Sequence, residues 1–86
     1  MSEVETFEKK LRILWVEDQD DTRRLIGDLL ARAGHVVSAA GTSTEAVEQL
    51  GSKVFDVILT DIGLPAASGY SMVGAAKRKQ PSIKPV

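Results

Sequence analysis

The sequence predicts an α/β protein in which helices cover a parallel sheet. Three short apolar runs of strand length each precede a stretch with helical periodicity, and glycine or proline residues separate most of these segments. Strands that alternate with helices in this way pair in parallel and are joined by right-handed crossovers. The 86 residues are 43% hydrophobic and 27% charged, which is typical of one small globular domain and excludes a disordered chain.

The first strand and helix have clear signals. Residues 11–16 form a nearly continuous apolar run, as expected of a strand that is buried on both faces of a sheet. A helix follows from Asp20 or Asp21 to Ala33, and Gly34 supplies its stop signal. One stripe of this helix is apolar and consists of Leu25, Ile26, Leu29, Leu30 and Ala33.

The second unit begins with residues 35–40, whose small and mildly apolar side chains favour an edge strand. His35, the only histidine, starts this strand and is expected to be a surface residue. Thr42 and Glu45 have the spacing of a capping box, which predicts the start of a second helix. Gly51 ends that helix. Its buried face is formed by Ala46, Val47 and Leu50.

The third unit contains the strongest strand signal in the chain. Residues 54–61 are apolar except for Asp56 until the strand reaches polar residues at its end. A loop over residues 62–69 and a helix over residues 70–79 follow. Gln80, Pro81 and Ser82 end this helix, and residues 83–86 predict the opening of a fourth strand.

Charge and composition exclude several classes of function. The net charge of −1 disfavours the capture of nucleic acid or of an anionic membrane. No apolar run approaches the roughly 20 residues that span a bilayer, and the amino terminus is acidic, so we expect a cytoplasmic protein. The absence of cysteine excludes disulfides and thiolate metal sites. Residues 1–10 are expected to be a flexible leader and residues 11–86 to form the domain.

Acidic residues cluster where the first and third strands end. Glu17 and Asp18 follow the first strand, and Asp61 ends the third. Ligands of open α/β sheets bind beyond the carboxyl ends of the strands, so three carboxylates converge on one crevice if these strands are neighbours. Carboxylates repel one another, and a hard cation such as Mg²⁺ relieves that repulsion. From spacing alone, the acidic residues could also form a loop that is merely exposed to solvent. This is the favoured interpretation of Asp20 and Asp21, which would cap the next helix and interact with the positive end of its dipole.

Two motifs carry a family resemblance. Residues 13–18 (Ile-Leu-Trp-Val-Glu-Asp), residues 56–65 (Asp-Val-Ile-Leu-Thr-Asp-Ile-Gly-Leu-Pro) and Gly69 resemble the receiver domain of two-component response regulators and hybrid sensor kinases. The most specific part is Asp-x-x-x-Pro-x-x-x-Gly after an apolar strand. The resemblance implies a flavodoxin-like, doubly wound fold with strand order 2-1-3-4-5 in the complete family. This chain holds the first three strand-helix units and the start of the fourth strand.

The resemblance also implies a role for each acidic residue. Asp61 would be the phosphoacceptor, Glu17 and Asp18 the acidic pair, and the Gly63 backbone carbonyl the last protein ligand of Mg²⁺, with Glu17 acting through water. The phosphoryl group would come from a phosphohistidine on a sensor histidine kinase or phosphotransfer domain, or from a small phosphodonor. The chain would then be a signalling phosphoacceptor and not an enzyme, beyond catalysing its own phosphorylation.

The family pattern is C-terminally truncated in this chain. A complete receiver has five strand-helix units, with a Ser or Thr at the end of the fourth strand and a Lys at the end of the fifth, and the match stops before both. We therefore expect Asp61 to bind metal while switching is impaired. Pro65 and Gly69 are expected to shape the loop before the third helix. The third strand would be an apolar edge, which predicts homodimerisation or strand exchange.

Two other functions compete with this one. A non-switching interaction module would keep the receiver's docking face, largely its first helix, without the chemistry, although three crowded carboxylates count against it. The other alternative is a phosphatase fragment of the haloacid dehalogenase type, because residues 18–22 (Asp-Gln-Asp-Asp-Thr) resemble that family's first motif. In that enzyme Asp18 would be the nucleophile and Asp20 the general acid.

Overall fold

The computed structural model describes residues 10–60 and 66–86, and for residues 66–72 it describes the backbone only. Its strands are β1 (Arg12–Val16), β2 (Val36–Ala40), β3 (Val57–Thr60) and β4 (Lys84–Pro85). Its helices are α1 (Asp20–Arg32), α2 (Ser43–Ser52) and α3 (Ala66–Lys79). All strand pairs are parallel, and the sheet has the order β2-β1-β3-β4. The predicted parallel α/β fold is confirmed, including the edge position of β2.

One face of the sheet carries the main core. Paired residues of a parallel sheet point to the same side, and the register pairs Val16 with Ala40 and Leu14 with Ile58. These side chains form one buried cluster with residues of α2, α3 and the adjoining turns: Ala46, Leu50, Phe55, Ala76 and Ile83. Two helices therefore cover this side, and the predicted buried face of α2 is confirmed at Ala46 and Leu50.

The opposite face is covered by α1 among the described residues. Trp15 points to this side and is only 8% exposed, and its indole Nε1 donates a hydrogen bond to the Arg23 carbonyl at 3.1 Å. The apolar stripe of α1 is incompletely covered, because Leu25 is 61% exposed and Leu29 is 54% exposed. In the described part of the chain, no helix is long and apolar enough to cross a membrane.

The start of β3 differs from the prediction: the strand begins at Val57 and not at Val54. The Asp56 carboxylate accepts the backbone N–H of Arg12 at 2.8 Å, where a regular ladder would use a backbone carbonyl. The same carboxylate accepts from Arg12 Nε at 3.1 Å and from Nη2 at 2.9 Å. This side-chain bonding raises the pKa of the Arg12 guanidinium above its usual value, through the hydrogen bond first and charge attraction second.

Two helix boundaries also differ from the prediction. Helix α3 begins at Ala66 and not at Tyr70, so Gly69 lies inside the helix and not in the preceding loop. The residues Ala66 and Ala67 have the highest helix propensity, which explains the earlier start. Helix α2 continues one residue past Gly51 to Ser52, whose hydroxyl donates to helix carbonyls one turn back.

The local signal at the start of α2 is reproduced. The Thr42 hydroxyl accepts the Glu45 N–H at 3.1 Å, as the capping box predicts, while the Glu45 carboxylate accepts from Gly41 N–H at 3.0 Å. His35 Nδ1 accepts the Leu11 N–H at 3.2 Å. The histidine thus fixes the entry into β1 at the end of the sheet remote from the acidic residues.

Candidate functional site

The carboxyl ends of β1 and β3 lie side by side. Their register pairs Val16 with Thr60, the last residue of each strand. Glu17 follows Val16 directly, and Asp61 follows Thr60 directly in the sequence. The neighbouring strands required by the acidic-crevice prediction are therefore present. Asp61 and Gly63, the other two predicted site residues, lie outside the described residues.

Glu17 is a fully buried carboxylate, with 0% exposure. Its backbone N–H donates to the Ala40 carbonyl at 3.0 Å, which extends the pairing of β1 with β2 by one residue. Its carboxylate oxygen Oε2 accepts the backbone N–H of Gln19 at 3.0 Å. A buried charge is tolerated only when hydrogen bonds or opposite charges compensate for lost hydration. The turn after β1 is therefore built around this side chain.

Asp18, next to Glu17, is exposed to solvent in the turn before α1. Asp20 and Asp21 are exposed in the first turn of α1, where negative charge favours the positive end of the helix dipole. They do not cap the helix, because its N-cap residue is Gln19, whose side chain makes no capping hydrogen bond. The predicted solvated position of Asp20 and Asp21 is observed, and their predicted capping role is wrong.

Arg23 joins this turn to the helix and was missed by sequence reasoning. Its Nη1 donates to the Glu17 backbone carbonyl at 2.9 Å, and its Nη2 forms an ion pair with the Asp20 carboxylate. Its own carbonyl accepts the Trp15 indole N–H. The one available sequence signal is the spacing of Asp20 and Arg23, three residues apart at the start of a predicted helix.

Gly41 provides the space in which the Arg23 guanidinium lies. A methyl group on Gly41 would stand 2.8 Å from Arg23 Nη1 and 3.3 Å from its Cζ. Since real Cβ atoms do not approach so closely, any larger residue here would displace the guanidinium. Arg23 thus bridges the turn after β1 and the turn after β2.

The model of the response regulator receiver domain family matches residues 13–86. The chain belongs to this family. Its parallel sheet, its order β2-β1-β3-β4 and its acidic residues after β1 agree with that identification. Receiver domains are signalling modules, and the haloacid dehalogenase alternative has no support from the family match.

Individual receiver proteins resemble the chain in sequence and in structure. The response regulator receiver protein CpdR of Brucella abortus is 34% identical over 73 residues, which cover 85% of this chain and 61% of CpdR. The response regulator TrrA of Thermotoga maritima, solved in complex with Mg²⁺-BeF, superposes with a TM-score of 0.76 at 29% identity. That superposition covers 87% of this chain and 65% of TrrA. The chain therefore spans less than two thirds of the length of either protein.

TrrA has also been solved in complex with the histidine kinase ThkA. In that structure it superposes on the chain with a TM-score of 0.75. The chain is therefore also similar in structure to a response regulator in complex with a histidine kinase.

The donors of this receiver domain fit a hard cation. Glu17 and Asp18 offer carboxylate oxygens, and the sequence contains no cysteine that would favour a softer metal. Within residues 10–60 and 66–86, no group of three or more His, Cys, Asp or Glu residues could hold a metal ion. The described part thus contains two adjacent carboxylates after β1, and the predicted ligands Asp61 and Gly63 lie outside it.

Proposed function

We propose that the chain is a phosphoacceptor receiver domain of a two-component or phosphorelay system, in which the Asp61 side chain accepts a phosphoryl group. The observation that carries this proposal is the pairing of Val16 with Thr60, because it brings the ends of β1 and β3 together. Asp61 is one peptide unit beyond Thr60, and consecutive Cα atoms are only about 3.8 Å apart. We therefore expect Asp61 at the same end of the sheet as Glu17 and Asp18, as the chemistry requires.

The transfer needs little covalent work from the protein. A carboxylate oxygen of Asp61 forms the new O–P bond while the N–P bond of a phosphohistidine breaks. The electron pair of that bond returns to the imidazole nitrogen, which then takes up a proton. The phosphoryl group is labile on nitrogen, so catalysis consists of in-line positioning and of compensating negative charge.

We propose Mg²⁺ as the cofactor of this step. Its ligands would be Asp18, Asp61 and the Gly63 backbone carbonyl, with Glu17 acting through water. Bound Mg²⁺ would offset the negative charge that gathers on the phosphoryl oxygens. The Mg²⁺-BeF complex of TrrA supports this proposal by analogy.

The proposed partner is a sensor histidine kinase or a phosphotransfer domain. Support comes from the TrrA complex with ThkA, whose receiver has a similar fold. The balanced charge of the chain favours neither nucleic acid nor a membrane as a direct partner, and the proposal places the protein in the cytoplasm. In this proposal residues 1–10 are a leader and residues 11–86 are a partial receiver domain. The domain would catalyse only its own phosphorylation.

A second candidate is a non-switching interaction module. The observation that favours it is the exposure of the apolar side chains Leu25 and Leu29 on α1, the helix expected to dock partners. This function would need no phosphorylation. A test of whether the chain can be phosphorylated therefore distinguishes the interaction module from the phosphoacceptor receiver domain.

Mapping of the phosphorylated residue tests the proposal. The protein is incubated with Mg²⁺ and acetyl phosphate, the acyl phosphate is reduced with borohydride, and the modified residue is located by mass spectrometry. We expect the label on Asp61 and its loss in Asp61→Asn, with Asp28→Asn, an exposed helix residue, as the matched control. Label on Asp18 would support the phosphatase alternative. A folded protein that takes no label would support the interaction module.

A further inference from the structure

The positively charged side chain of Arg23 binds the turn after β1, next to the site proposed for Mg²⁺. Arg23 Nη1 donates to the carbonyl of the peptide that links these two acids, at 2.9 Å. The Arg23 side chain is 26% exposed, whereas that of its ion-pair partner Asp20 is 75% exposed. Arg23 is thus more enclosed than the carboxylate it pairs with.

We infer that Arg23 is a positioning residue for the proposed magnesium site, and this inference rests on the proposed function. The guanidinium fork holds the Glu17 carbonyl through one nitrogen and Asp20 through the other. The first bond fixes the peptide plane from which Asp18 extends. The second bond pairs the Asp20 carboxylate with Arg23. Asp20 is therefore engaged by the arginine, whereas Asp18 is left to bind Mg²⁺.

Gly41 leaves the space that the Arg23 guanidinium needs in order to reach the turn after β1. The guanidinium occupies the space that a side chain at position 41 would fill, since a Cβ there would meet Nη1 at 2.8 Å. The added Cβ would also stand 3.3 Å from Glu45 Oε1. Both Arg23 and Glu45 meet it with the ends of flexible side chains, so Gly41→Ala is expected to shift Arg23 at little cost to folding. The structure therefore provides two independent ways to displace the same guanidinium.

The direction of the change in affinity distinguishes positioning from simple electrostatics. Removing a positive charge near a cation site should by itself tighten Mg²⁺ binding. Loss of the support for Asp18 should weaken it, by about tenfold if Arg23 behaves like other residues that orient metal ligands. Arg23→Ala is therefore expected to raise the dissociation constant for Mg²⁺, against the electrostatic trend.

The experiment titrates the protein with MgCl₂ and follows Trp15 fluorescence and the heat of binding. Trp15 is bonded to the Arg23 backbone carbonyl, so the reporter keeps its partner in side-chain variants. Arg23→Lys should also weaken binding, because an ammonium group retains the charge but cannot reproduce the planar fork. Arg24→Ala, which removes the same charge from an exposed neighbour, is the matched control and should not weaken binding.

Gly41→Ala tests the same contact from the other side. It should weaken Mg²⁺ binding with little change in melting temperature, and it should have no further effect on affinity in the Arg23→Ala background. Equal Mg²⁺ affinity in wild type and Arg23→Ala, or additive effects of the two substitutions, would overturn the inference and leave the proposed function standing. A folded wild type without any response to Mg²⁺ would overturn the magnesium proposal and this inference together.

Discussion

Gln80 is expected to be the polar side chain on which the stability of the fold depends most. Its Nε2 donates to the Leu50 carbonyl at 3.0 Å and to the Lys53 carbonyl at 2.6 Å. Its Oε1 accepts the Phe55 N–H at 2.7 Å. One side chain after α3 therefore provides hydrogen-bond partners for backbone groups at the end of α2 and in the segment that leads into β3. The substitution Gln80→Ala removes all three hydrogen bonds.

The expected loss follows from what becomes unsatisfied. Phe55 is 5% exposed, so water replaces the lost acceptor of its N–H poorly. The two bonds that Nε2 donates cost about 1 kcal/mol each, and the unsatisfied Phe55 N–H costs about 1 to 3 kcal/mol, which gives a total of about 3 to 5 kcal/mol. A chain of this length has a free energy of unfolding of about 4 to 13 kcal/mol. Gln80→Ala should consume a large part of it.

Urea unfolding followed by circular dichroism measures this loss. Gln49→Ala is the matched control, because the Gln49 side chain makes one described hydrogen bond, from Nε2 to the Ala39 carbonyl at 3.0 Å. It should cost about 1 kcal/mol. Gln80→Glu keeps an acceptor for Phe55 but sets a carboxylate oxygen against the Leu50 and Lys53 carbonyls, so it should be no more stable than Gln80→Ala. If Gln80→Ala destabilises no more than Gln49→Ala, the assignment of Gln80 as the central polar contact is wrong.

Two further predictions concern the metal site and the sheet edge. Asp18→Ala should weaken Mg²⁺ binding, read by Trp15 fluorescence, more than Asp20→Ala does; equal effects would mean that the acids form only a solvated loop. Among the described residues β4 pairs with the first half of β3 and leaves Leu59 and Thr60 without a strand on that side. We expect a dimer or an unstable chain in sedimentation and thermal unfolding, and a monomer at micromolar concentration with a cooperative melt would contradict this.

The elements of the fold were predictable because their signals are local. A strand buried on both faces needs a continuous apolar run, as in β1, and a capping pair within four residues indicates a helix start, as at Thr42 and Glu45. The parallel sheet then followed from the alternation of strands with helices. The solvent exposure of Asp20 and Asp21 was likewise predicted, from their place at the end of an acidic run before a helix.

The contacts that unite these elements were not predictable from local pattern. Gln80 was interpreted only as part of a helix stop, yet its bonds reach residues 25, 27 and 30 positions away. Asp56 was the polar exception in an apolar run, and its partner Arg12 lies 44 positions away. A single sequence shows which side chains can hydrogen-bond, whereas the fold decides which of them meet. The β3 boundary was misplaced for this reason.

Burial gives the two acids after β1 different roles in the proposed site. Glu17 is fully buried, and its Oε2 already accepts the Gln19 N–H, so direct ligation through that oxygen would require breaking an existing bond. Asp18 is exposed and can exchange bound water for a cation without unfolding the turn. Direct coordination is therefore expected of Asp18, and a water-mediated contribution of Glu17.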